Sequence, residues 1–163
     1  MNKFMKAALA SSVLVASVMS ANAANAATAS ATARANILQQ VTVASDGSDL
    51  DFGTIVSGAA ASTVSVSGGG RSCGAGIVCS GAFSAAGFDV TGTDGETVSV
   101  ASDPSVTLNS GTNSMTASIV SSVSTMALTG GVGSFNVGGL LNVGANQADG
   151  AYTGTFNVTV NYN

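Results

Sequence analysis

Two cysteines, Cys73 and Cys79, and three aspartates, Asp46, Asp49 and Asp51, are the side chains whose types and spacing could do chemistry. The cysteines enclose Gly74-Ala75-Gly76-Ile77-Val78, and in an oxidising compartment that spacing predicts a disulfide closing a short loop. A metal centre needs more sulfur or nitrogen ligands than two cysteines can supply in a chain without histidine. A reactive thiol pair wants tighter spacing and a nearby cation, and only Arg71 is near. The aspartates fall in the run Asp46-Gly47-Ser48-Asp49-Leu50-Asp51, where their oxygens could meet a calcium ion. That run lacks the glutamate and full spacing of a calcium loop, and a solvated turn competes for the same residues.

Catalysis finds little else to work with. Nucleophilic triads and imidazole bases are excluded because histidine is absent. A carboxylate pair of the glycosidase kind would have to come from Asp51 and Asp89, which fall on the polar faces of their strands, because the other acids sit in or beside turns. Glycine clusters occur without a following Gly-Lys-Ser/Thr, so they read as turns and bulges, not phosphate cradles. The chain is therefore expected to be no enzyme and to use no cofactor.

The elements that must position these residues begin after Ala26. Met1 to Ala26 reads as a cleavable signal helix, with Lys3 and Lys6 ahead of an apolar stretch and two small-x-small sites, Ala21-Asn22-Ala23 and Ala24-Asn25-Ala26. Its apolar stretch is shorter than the roughly 20 residues that cross a bilayer, so the cleaved product is expected not to be embedded in a membrane. Export would place it in the periplasm, on the outer surface or outside the cell. Removing the signal leaves Arg34 and Arg71 against eight acids, a net charge of −6, which argues against nucleic acid as a partner.

From about Arg34 onward, short alternating segments are separated by Asp46-Gly47, Asp94-Gly95, Asn109-Ser110-Gly111, Gly130-Gly131 and Asp149-Gly150. Nine or ten such strands predict an all-β fold, an antiparallel immunoglobulin-like sandwich over residues 37–163, preceded by an extension over 27–36. A membrane barrel would need girdles of tyrosine and tryptophan, and the chain has two tyrosines and no tryptophan.

Ala151 to Asn163 alternates throughout, with Tyr152, Phe156, Val158, Val160 and Tyr162 on one side and Thr153, Thr155, Asn157, Thr159 and Asn161 on the other. This predicts a half-buried strand whose neighbour is either the chain's own segment around Ala35 to Val43 or that segment from another copy. Residues 27–37 alternate too, with alanines and then Ile37 on one face, and read either as a weak edge strand or as a tail. The mature strands carry no lysine to blunt their edges. Pairing between subunits through Ile37 and the face of the last strand follows as an expectation.

The runs Leu50-Asp51-Phe52-Gly53-Thr54-Ile55-Val56, Phe135 to Val143 and Gly150 to Tyr162 resemble the domain-of-unknown-function family 4402 of exported Gram-negative bacterial proteins, over Ala33 to Asn163. More distantly, the ending is similar to that of spore-coat-U and chaperone-usher pilin subunits. That second resemblance implies a sandwich completed by a neighbour's strand, with copies of itself or other surface subunits, a periplasmic chaperone and an usher as partners. The chain departs from pilins in the small alanine face of its extension and in its local cysteine spacing. An exported structural or fibre subunit is the leading expectation; a monomeric binding module for glycan or calcium is the alternative.

Overall fold

A computed structural model describes residues 27–163; the signal expected over Met1–Ala26 lies outside them. Residues 27–41 belong to no helix or strand, and those from Asn36 to Asn163 form one compact unit. Its strands are β1 (Thr42–Ser45), β2 (Thr54–Val56), β3 (Ser62–Ser67), β4 (Gly70–Cys73), β5 (Val78–Ser80) and β6 (Ala86–Thr91). They continue as β7 (Thr97–Ser102), β8 (Ser105–Ser110), β9 (Asn113–Ser121), β10 (Thr125–Ala127), β11 (Val132–Val143) and β12 (Val158–Tyr162). All pairings are antiparallel.

The expected all-β class and antiparallel sandwich are therefore present, with twelve strands among the described residues where nine or ten were anticipated. Several turns predicted from glycine are held in the left-handed region, at Gly47, Gly95, Gly111, Gly130, Gly131 and Gly150.

The long strand β11 organises the larger, seven-stranded sheet. Val137 faces Ala86 of β6 on one edge and Ser121 of β9 on the other, while Gly139 faces Val66 of β3 and Ile119 of β9. It follows that β6 and β3 share one edge of β11, each taking half, and β9 takes the opposite edge. Gly138 and Gly139 stand where that edge passes from β6 to β3. A Cβ on either would meet backbone, the Val66 carbonyl oxygen at Gly138 and the Ser118 carbonyl oxygen at Gly139, so only glycine fits without moving a neighbouring strand.

Alternation within β11 sends Phe135, Val137, Leu141 and Val143 inward and leaves Val132, Ser134, Asn136, Leu140 and Asn142 exposed. Val98, Val100 and Val160 from the three-stranded sheet β10-β7-β12 join them in a single buried cluster. The two sheets thus share a core, as sandwich layers must. No polar or charged side chain is buried among the described residues.

The disulfide Cys73–Cys79 forms, with Cα atoms 6.4 Å apart. It closes the expected short loop and does more than that. Cys73 ends β4, which pairs with β3, whereas Cys79 lies in β5, which pairs with β2 in a separate two-stranded ribbon. The bond therefore fastens that ribbon to the edge of the large sheet. The sequence spacing was local, but the strands it joins have different partners.

Candidate functional site

The last strand is shorter than its alternating pattern. Regular pairing covers Val158–Tyr162 alone, while Thr153 forms an isolated bridge with Asn109. The predicted face nevertheless holds: Tyr152, Phe156, Val158, Val160 and Tyr162 are buried or half-buried, and the residues between them are exposed. Phe156 packs edge-on to Phe88 with ring centroids 6.4 Å apart. The break before Val158 occurs where Asp103 takes over the pairing through its side chain, its carboxylate accepting both the backbone N–H and the Nδ2 of Asn157.

On one edge the neighbour of β12 is β7, which the alternation did not anticipate, and the chain's own anticipated segment does not pair with it. The chain's own stretch around Ala35 to Val43 supplies β1 only from Thr42, and β1 pairs with β6 in the other sheet. It runs past β12 without a backbone hydrogen bond to it. A side-chain link stands in for the missing ladder. The Tyr162 hydroxyl accepts from the Thr93 N–H and donates to the Gln39 carbonyl, both at 2.7 Å. Tyr162→Phe removes both bonds and is expected to cost about 1–2 kcal/mol of unfolding free energy by denaturant titration. An unchanged midpoint would mean that water replaces the hydroxyl at no cost.

This arrangement leaves one edge of β12 open. Asp103 N–H donates to the Asn157 carbonyl at 3.0 Å and Asn163 N–H donates to the Thr97 carbonyl at 3.1 Å, so the odd-numbered residues of this stretch bond to β7. In an antiparallel ladder the alternate residues then direct their backbone groups the other way. Those are Val158, Val160 and Tyr162, whose N–H and C=O groups have no backbone partner among the described residues. Ile37, the other residue expected at an assembly contact, is 86% exposed.

The three aspartates are not gathered. The Asp46 carboxylate accepts the Ser48 N–H and the Asp51 carboxylate accepts the Gly53 N–H, both at 2.7 Å, as local turn caps. Among the described residues no three His, Cys, Asp or Glu side chains are placed to hold a metal ion. Two of the three carboxylates, those of Asp46 and Asp51, are thus engaged by the backbone two residues on, which accounts for this run as capped turns. Sequence reasoning missed Arg71 as an anchor. Its Nη1 donates to the carbonyls of Phe52 and Ser80, and its guanidinium lies 4.9 Å from the Phe83 ring centroid.

A protein-family model described as Domain of unknown function (DUF4402) matches residues 41–162. The chain belongs to this family. The DUF4402 domain so defined runs from the residue before β1 to the end of β12 and leaves residues 27–40 outside. The resemblance had been expected from Ala33; the difference falls on residues that enter no strand. No curated protein and no solved structure matches the chain. No helix among the described residues is long and apolar enough to cross a membrane.

Proposed function

We propose that this DUF4402 protein is an exported, non-enzymatic structural subunit that assembles at the cell surface with copies of itself through strand edges. The observation that carries this reading is the open edge of β12, where Val158, Val160 and Tyr162 lack backbone partners. An edge strand without lysine or proline is a template for another strand, with backbone bonds supplying affinity and alternate side chains supplying fit. The exposed residues 27–37, which alternate small apolar and polar side chains and end on Ile37, provide the segment to add there. Likeness of the ending to pilin subunits supports the same reading, and a chaperone and usher would then handle the subunit before assembly. The disulfide is in keeping with an oxidising compartment outside the cytoplasm.

Proline separates edge pairing from folding. Val158→Pro removes an N–H that points to the open edge and leaves every bond to β7 in place, so the monomer folds but does not assemble. Unboiled envelope extracts are expected to show a ladder of multimers for the native chain. The ladder is lost with Val158→Pro and with deletion of Ala27 to Leu38. A single monomeric band from the native chain, or a ladder that survives both changes, would reject the reading.

A further inference from the structure

Among the described residues the core is open beside β2. Between Leu50–Ser57 and the loop Gln147–Tyr152 runs a cleft of about 630 Å³. Its floor is Leu108 and Met115, directly opposite each other on β8 and β9, with Leu141 and Val143 of β11. Close packing ordinarily eliminates an apolar gap of this size. Here the mouth is tied in place. The Asn146 N–H donates to the Gly58 carbonyl at 2.7 Å, and the Ser57 hydroxyl donates to the Gln147 carbonyl at 3.1 Å. The Tyr152 hydroxyl donates to the Ala148 carbonyl and accepts from Gln147 Nε2, both at 2.8 Å. These bonds brace the loop against itself and against the end of β2, so the two walls stand apart.

The charge on the lining selects what can enter. Asp51 and Asp149 are its charged residues, and no lysine, arginine or histidine accompanies them. An anion would meet two carboxylates in the lining, while the Arg71 guanidinium behind that wall is not part of the lining and is engaged by the Phe52 and Ser80 carbonyls. The volume falls in the roughly 300–1,000 Å³ range of small-molecule sites, and an apolar floor with a few polar groups at the rim is their usual construction. We propose that this cleft is a binding site for a small apolar molecule that carries no negative charge. The inference stands on the cleft alone and is independent of assembly through β12.

The test compares two fluorescent probes of similar shape on the full-length chain, uncharged N-phenyl-1-naphthylamine and anionic 1-anilinonaphthalene-8-sulfonate. The uncharged probe is expected to bind saturably, one per chain, and the anionic one at least about tenfold more weakly. Leu108→Trp and Met115→Trp fill the floor and are each expected to weaken the uncharged probe by at least about tenfold, with thermal melting checking that each variant folds. Asp149→Lys changes an exposed side chain and is expected to tighten the anionic probe by about tenfold even if neither tryptophan variant folds. Absence of saturable binding, equal binding of the two probes, or no response to Asp149→Lys overturns the proposal. So does displacement of the probe by a peptide of residues 27–38, which would give the cleft to a second copy.

Discussion

Phe135→Ala is expected to lower the unfolding free energy by about 3–5 kcal/mol, the range found when a buried aromatic ring is truncated and its site cannot collapse. Phe135 is 4% exposed at the first half of β11, directly opposite Phe88 of β6. The two rings stack with centroids 5.5 Å apart, and Phe88 in turn meets the edge of Phe156. Removing Phe135 therefore opens a cavity in the layer between the sheets and loosens the contact that seats the approach to β12. Val132→Ala in the same strand is the control. Val132 is 57% exposed, and its truncation is expected to change stability by no more than about 0.5 kcal/mol. Denaturant titration of both variants measures the difference. Equal losses would mean that the inward face of β11 has been wrongly assigned.

The second large effect is expected at Arg71, where Arg71→Met lowers stability by about 2–3 kcal/mol through the loss of charge-assisted hydrogen bonds to two carbonyls. Those carbonyls belong to Phe52, just before β2, and Ser80, at the end of β5, with bonds of 3.1 and 3.0 Å. Gly53 has φ of 77° and lies against the guanidinium, so the chain bends around the arginine at a residue free of a side chain. Arg71 thus does from β4 what the disulfide does two residues on, joining the β2–β5 ribbon to the large sheet. The half-exposed setting and the small ribbon make the damage local. Hydrogen exchange should quicken in Thr54–Val56 and Val78–Ser80 while β11 stays protected. Arg71→Lys restores little, because an ammonium cannot reach both carbonyls and stack on Phe83 with the same planar group. Uniform loss of protection across both sheets would show that the ribbon is not held separately.

Much of the interior was legible from period and turn chemistry. Phe135, Val137, Leu141 and Val143 alternate in the chain and alternate in burial, as do Val98 with Val100 and Val64 with Val66. The face of Tyr152, Phe156, Val158, Val160 and Tyr162 was read correctly even where Asp103 interrupts the regular strand. Pairing of Cys73 with Cys79 followed from spacing and composition. Arg71 was not legible as an anchor, because the Phe52 and Ser80 carbonyls it binds lie 19 and 9 residues away and carry no side-chain signal.

By itself, the chain's order of side chains determined the class of fold, the inward and outward faces and the places where it turns. These are local properties, set by the two-residue period of a strand and by the backbone freedom of glycine. Tertiary structure alone decided which strands meet: that β11 serves three partners, that β12 pairs with β7 while β1 pairs with β6, and that the disulfide joins two sheets. It also decided that one edge of β12 stays open and that a cleft remains beside Leu108 and Met115. The reason is that backbone N–H and C=O groups are the same at nearly every residue. Side chains say which face is buried, but the choice of partner emerges only when distant segments compete for the same edge.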